Sequence, residues 1–575
     1  MRSVRKSLAI LLLGCLLAGV SYAVQPQPVR APHAMVATVH ELASQAGVDI
    51  MKQGGNAVDA AVAVGFALAV VHPQAGNLGG GGFMLFRNTT GDVHFLDFRE
   101  KAPAAATATM YQDKSGRVIP EMSVLGYKSV GVPGSVAGLA YAQKHWGKLP
   151  LAKVMAPAIK LARNGYPLAA TDAEELHDKD LAKFPESRRI FQRDGNYYNA
   201  GDTFKQPELA RTLERIAKNP DDFYHGEIAK KLAADVQKGG GLITEKDLAD
   251  YEVKERQPIH GTYRGYDVYS APPPSSGGIV LMEALNILEG YDLGKLGRAP
   301  EAEHLTIEAY RRAFYDRAEF LGDPDFSQIP VAPLLDKKYA AAWRETINPK
   351  DASLSQDLKR PAEFNELERY AATHQPVVAG REPENTTHYS VVDPAGDAVS
   401  VTYTLNNTFG SHVTATGLGF LLNDEMDDFS SAPGVPNMFG LIQGPANAIG
   451  PGKRPLSAMT PTIVTQNGKL ALVLGSPGGP TIITTVANAL MAVVDYGMNI
   501  QQAVDAPRYH NQWMPDQTMV EAAFPDDQVA ALDKMGHHIK RRRQWGDAEC
   551  IAINPLTGER MGASDPRNNG KAIGF

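Results

Sequence analysis

The chain has 575 residues, of which 43% are hydrophobic and 21% charged, and carries a formal net charge of −7. That length is too great for one ordinary core, and that balance excludes a disordered or membrane-embedded protein. The single dense basic run, Lys540–Arg543, is too short to make nucleic acid an expected partner.

The opening segment, MRSVRKSLAILLLGCLLAGVSYA, has a basic start, an apolar middle and small residues at Ser21 and Ala23. It reads as a secretory signal peptide, residues 1–23, cut after Ala23, so the mature chain is expected in the periplasm or secreted, with no membrane span. LLGC, ending at Cys15, also weakly matches a lipoprotein box. After that cut Cys550 is the sole cysteine, which leaves no intramolecular disulfide and no cysteine-rich metal site.

HELASQAGVDIMKQGG and NAVDAAVAVGFALAVVHP predict two helices. The first is amphipathic; the second is apolar nearly all round, with Asn56 as its N-cap. Asp59 and the short length make the second a buried core helix rather than a span. NLGGGGFMLFR then runs through glycines 79–82 into a strand, and DVHFLDFRE supplies another. No Gly-Lys-Ser/Thr follows the glycines, so they read as a segment of close backbone packing and not as a phosphate loop. Residues 130–350 are mostly helical in pattern, interrupted at APPPSSGGIVLMEALNIL by a rigid turn that opens a further helix. Residues 350–385 are polar and weakly periodic, which predicts a linker or mobile tail. Beyond 386, HYSVVD, DAVSVTYTLN, GFLLND, TPTIVTQ and LALVLGSPGG are strand-like, and TIITTVANALMAVVDYG and NIQQAVDA helical. Helices and strands on both sides of the linker predict sheets covered by helical layers. No internal repeat or low-complexity segment is present.

The chemistry concentrates at ENTTHYSVVDPAGDAVSVTYTLNN. Pro394 and Gly396 suit a tight reversal between two strands. In an antiparallel hairpin the index sum is constant, so pairing Val391 with Val399 sets Thr386 opposite Thr404, with Asn406 on the same face. A polar cluster then forms at a sheet end, with His388 expected on the opposite face. A threonine hydroxyl needs a base to act as nucleophile, and no Ser-His-Asp set is in evidence. One remaining activation uses the α-amino group of Thr386 itself, with an ordinary pKa near ~7.7–8, which requires a cut before it. Two simpler readings stay open: an N-x-T glycosylation acceptor at Asn385, and a loop ending where a hairpin begins.

Several motifs resemble, in order, those of the γ-glutamyltranspeptidase family. They are GNLGGGGFMLFR, LDFREKAPAAAT, GVPGSVAGL, PPPSSGG, NTTHYSVVD, VTYTLNNTFG, LLNDEMDDFS, GPGKRPLSAMTPTIV, GSPGGPTIITT and GASDPR. The resemblance covers essentially the whole mature chain. It implies an α/β fold of the N-terminal nucleophile hydrolase kind, a four-layer αββα sandwich. It also implies a precursor that cuts itself between Asn385 and Thr386 into a large subunit (24–385) and a small one (386–575).

By the same resemblance Thr386 is the nucleophile, with Thr404 and Asn406 beside it. Arg99 clamps a substrate α-carboxylate, Glu425 and Asp428 hold its α-amino group, and Gly478-Gly479 form an oxyanion hole. Ser457 resembles one of two adjacent serines on the carboxylate, but Ala458 replaces the second. SSAPGVPNMFGLIQG resembles a lid loop, with Phe439 where several bacterial relatives carry tyrosine. The resemblance implies glutathione and other γ-glutamyl compounds as donors, amino acids or dipeptides as acceptors, and neither cofactor nor metal. Rival expectations are a glutaryl-cephalosporin acylase or poly-γ-glutamate depolymerase on the same scaffold, or an exported binding protein that never matures.

Overall fold

The computed structural model describes residues 25–370, 386–432 and 444–575. The signal peptide with Cys15, the Asn385 side of the expected cut, and Phe439 lie outside the described residues. Among the described residues no helix is long and apolar enough to cross a membrane.

Two antiparallel seven-stranded sheets lie face to face. In the first, the hairpin Thr387–Val392 and Ala398–Thr404 occupies the centre, between Met35–Thr38 on one side and Gly81–Arg87 on the other. In the second, Lys469–Leu474 and Thr462–Gln466 are central, flanked by Cys550–Ile553 and Tyr266–Ser270. Strand alternation sorts each sheet into two faces. Phe83, Leu85, Val392 and Ala398 of the first sheet meet Ile463, Val473 and Ile551 of the second in the inter-sheet core. Met84, Tyr389, Val391 and Tyr403 face outward, against the helices Glu41–Lys52 and Ala57–Val71. The outer face of the second sheet is covered by Gly277–Leu288, Pro300–Phe320 and Thr481–Val494. The result is a four-layer αββα sandwich.

The apolar helix Ala57–Val71 is buried along its whole length, and Asn56 closes a capping box with Asp59. Glycines 79–82 pack as expected: a Cβ on Gly80 would lie 1.9 Å from the Thr404 carbonyl oxygen. Both sheets interleave strands from residues 25–370 with strands from 386–575. A break before Thr386 therefore leaves two pieces locked by ladder hydrogen bonds and a shared core.

Two expectations need correction. GFLLND forms only isolated bridges, Gly79 with Leu422 and Thr414 with Leu421, and not a strand. Residues 350–370 are not a loose tail. Arg360 reaches Asp316 and Glu319 in buried ion pairs, and Leu367 is buried in the helix-backed core. The polarity of this stretch reflects inward charge pairing, which local composition does not distinguish from solvation. Residues 371–385 lie outside the described residues.

Candidate active site

The hairpin register is the expected one: Val391 pairs with Val399 and Thr387 with Tyr403, which sets Thr386 against Thr404 one step further. Strand parity, however, puts His388 on the same face as Thr386, not the opposite one. Its ring is engaged between the sheets, with Nδ1 2.9 Å from Thr402 Oγ1 and Nε2 3.1 Å from Ser390 Oγ. Burial pushes His388 down to about 3, so it is neutral near pH 7. The imidazole is committed to bracing the sheets.

Thr386, Thr404 and Asn406 line one pocket together with Arg99, Glu425, Asp428, Ser457, Ala458 and Gly479. The second strand ends at Thr404, and Asn406 turns into the left-handed region (φ +80°). Its N–H donates to Thr404 Oγ1 (2.8 Å) and its side chain to the Asp424 carbonyl (3.1 Å), which ties the strand end to the acidic turn. That turn, Glu425–Asp428, carries both acids.

Arg99 follows the strand Val93–Phe98 and is wholly buried; its N–H donates to Asp97 Oδ1 (2.9 Å). Its guanidinium is in ion-pair contact with Glu425 and hydrogen-bonded to Asp428, with Glu100 3.7 Å away. The Glu425 contact lacks hydrogen-bond geometry, since both Glu425 oxygens and Arg99 Nη1 have no hydrogen-bond partner. Burial opposes the charge on Arg99, but the Glu425, Asp428 and Glu100 carboxylates outweigh it and hold the guanidinium above its ordinary value. Burial raises Glu425 well above the usual carboxylate range and pushes Glu100 up to about 7, in both cases against the pull of Arg99. The cavity is only about 20 Å³, room for a single water. A ligand must part Arg99 from the acids and replace each as the other's partner.

Gly478 and Gly479 (φ +128° and +54°) lead into the helix Thr481–Val494. Their carbonyls are taken: the Thr481 N–H and hydroxyl donate to Gly478, and the Ile482 N–H to Gly479. Among the described residues neither glycine N–H has an acceptor. Gly479 lies in the Arg99 pocket and Gly478 in a second cavity, with Thr386 in the wall of both.

Arg317 lines the same pocket and was not singled out from sequence. It lies on Pro300–Phe320, its Nε donates to Ser276 Oγ (2.9 Å), and its Nη1 is buried without a partner. Burial, partly offset by Asp428, brings it down to about 10, so it remains a cation at neutral pH. Its charged neighbours on the same helix, Glu303, Glu308, Arg311, Arg312 and Asp316, leave nothing in the sequence that sets it apart.

A threonine at the head of a central strand, between two antiparallel sheets each backed by helices, defines the enzyme class of N-terminal nucleophile hydrolases. The chain belongs to the γ-glutamyltranspeptidase family, whose profile, described as Gamma-glutamyltranspeptidase, matches residues 43–575. It is 49% identical to a glutathione hydrolase proenzyme of Pseudomonas sp. (strain A14), over 99% of each chain. To the glutathione hydrolase proenzyme of Escherichia coli (strain K12) it is 48% identical, over 96% of this chain and 93% of that one. Among solved structures it is similar to a cephalosporin acylase from Bacillus halodurans (TM-score 0.82, 30% identity, 97% of this chain and 98% of that one).

Proposed function

We propose that this chain is a γ-glutamyltransferase and glutathione hydrolase that cuts itself between Asn385 and Thr386 to free the amine of its nucleophile. The observation that carries this is the sharing of one pocket by Thr386 and by both signs of charge, Arg99 and Arg317 against Glu425 and Asp428. An amino-acid head carries a carboxylate for the first pair and an ammonium for the second, which leaves its γ-amide carbonyl at Thr386. Thr386 Oγ bonds to that carbon as its proton passes to the α-amine. The tetrahedral oxygen meets the free N–H groups of Gly478-Gly479, where one lost donor costs on the order of 10²–10³ in rate. The C–N bond then breaks, the amine leaves with the proton, and a γ-glutamyl ester remains on Thr386. Water releases glutamate from that ester; an amino acid or dipeptide releases a new γ-glutamyl compound. No step calls on a cofactor or metal.

The similar proteins named glutathione hydrolase proenzymes support both the substrate and the cut. Export by residues 1–23 to the periplasm or beyond belongs to the same proposal. Incubating the mature protein with glutathione tests it: equal release of glutamate and cysteinylglycine is expected, and no release would overturn it.

Ala458 marks a place where one hydroxyl donor is absent. A hydrogen bond to a charged group is worth roughly 1.5–3 kcal/mol, but Arg317 Nη1 already offers a donor in this pocket. Ala458→Ser is therefore expected to lower KM for γ-glutamyl donors by about threefold, roughly 0.6 kcal/mol. The carboxylate lies away from the reacting carbon, so the contact is alike in ground and transition states and kcat stays nearly unchanged. Steady-state kinetics on both forms checks this; an unchanged KM would show that Arg317 and Ser457 satisfy the carboxylate without help.

A further inference from the structure

Asp178, Asp180 and His412 line neither of the cavities that hold Thr386. A ring nitrogen of His412 and one carboxylate oxygen of each aspartate all lie within 4.8 Å of one another. We propose that these three side chains form a structural site for a divalent transition-metal ion, Zn²⁺ first among them, that joins the two parts of the chain. Asp178 and Asp180 lie before the expected cut at Thr386, and His412 lies after it. Binding of the ion does not depend on the cut. Only the bridging of two separate fragments does, and that part rests on the reading of Thr386.

The histidine carries the argument. His412 is 5% exposed, and its Nδ1 has no hydrogen-bond partner among the described residues. Its Nε2 is aimed at Asp178 Oδ1 from 3.5 Å, too far for a good hydrogen bond. That separation is instead the one between two ligands of a tetrahedral ion, about 3.4 Å for bonds of about 2.1 Å. The backbone holds both sides in place. Asp178 Oδ1 accepts from the N–H groups of Asp180 (2.6 Å) and Leu181 (3.3 Å), and the Ser187 hydroxyl donates to the His412 carbonyl (2.6 Å). Asp180 Oδ1 is also buried without a hydrogen-bond partner. The Lys183 ammonium faces it at 2.7 Å, but that side chain is 52% exposed and can turn to water when an ion arrives. The aspartate side chains are themselves partly exposed, which leaves the ion and its water a way in. An imidazole among the donors favours Zn²⁺ over Ca²⁺ or Mg²⁺, which take oxygen ligands. Three protein donors leave the fourth position to water.

The test uses the full mature protein without an affinity tag, stripped with EDTA and titrated with ZnCl₂ against a chelating dye. Thr386→Ala, Asp180→Asn, His412→Gln and Lys183→Met are titrated beside the wild type. One ion per chain is expected in the wild type, with Tm raised by about 2 °C at about a hundredfold excess over Kd. Co²⁺ in its place is expected to give the visible absorption of a tetrahedral site. Asp180→Asn and His412→Gln are each expected to weaken binding by at least ~10²-fold and to lose the gain in Tm. Lys183→Met, which removes the competing ammonium, is expected to tighten binding about threefold. Normal cutting of Asp180→Asn into two fragments controls for folding, since that side chain reaches the surface. No uptake by the wild type, or undiminished uptake by both Asp180→Asn and His412→Gln, overturns the site. Binding of Ca²⁺ as tight as that of Zn²⁺ overturns the choice of ion. Equal uptake by Thr386→Ala is expected, so the site is tested apart from the reading of Thr386.

Discussion

Thr386→Ala is expected to remain one uncut chain and to lose activity entirely, whereas Thr386→Ser is cut at least in part and keeps some turnover. The same hydroxyl is asked to act twice. In the precursor it attacks the preceding carbonyl, and hydrolysis of the resulting ester frees the α-amine; in the mature protein that amine serves as its base. Serine retains the attacking oxygen and alanine retains none. Loss of a nucleophile of this kind costs on the order of 10⁶ in kcat where it has been measured in hydrolases, and here the amine is lost as well. His388 offers no bypass, because its ring is held by Thr402 and Ser390 and is neutral. Denaturing gels and γ-glutamyl-anilide turnover check both halves. An uncut but active alanine variant would end the mechanism.

The second large effect lies in the head group. Desamino and decarboxy analogues of a γ-glutamyl donor are each expected to lose at least ~10²-fold in kcat/KM, about 2.7 kcal/mol. Arg99 sits against the buried Glu425 and the partly exposed Asp428, so a binding ligand must divide that pairing. A desamino ligand takes Arg99 and leaves the acids with nothing in return. A decarboxy ligand takes the acids and strands Arg99 and Arg317. Breaking a buried pair by removing one partner costs roughly 3–5 kcal/mol, of which water entry and protonation of Glu425 recover part. Measuring γ-glutamyl and glutaryl amides side by side decides between a γ-glutamyl enzyme and an acylase, a live question given the likeness to a cephalosporin acylase structure. Equal cleavage of the glutaryl amide would favour the acylase.

The central hairpin was legible because antiparallel pairing needs only one turn and one matched pair: Pro394-Gly396 and Val391 with Val399 carry Thr386 to Thr404. The buried helix 57–71 was legible too, since an apolar surface all round has nowhere else to go. Arg317 was hidden because Pro300–Phe320 buries Glu303, Glu308, Arg311, Arg312 and Asp316 as well. Periodicity reads such a helix as half solvated, and only tertiary pairing, as of Arg360 with Asp316, shows otherwise. The joining of Arg543 and Asp547 to Thr386 in one cavity wall was equally invisible, for it depends on how the segment after the strand Ile539–Arg542 packs against the Ser476–Gly479 loop. Charges that face inward leave the same composition as charges that face water.

The account stands or falls on Thr386 as a free N-terminus, and N-terminal sequencing of the smaller fragment of the purified, active protein reads it directly. The predicted sequence is Thr-Thr-His-Tyr-Ser. An active protein that runs as a single chain, or a fragment that begins at any other residue, would contradict it.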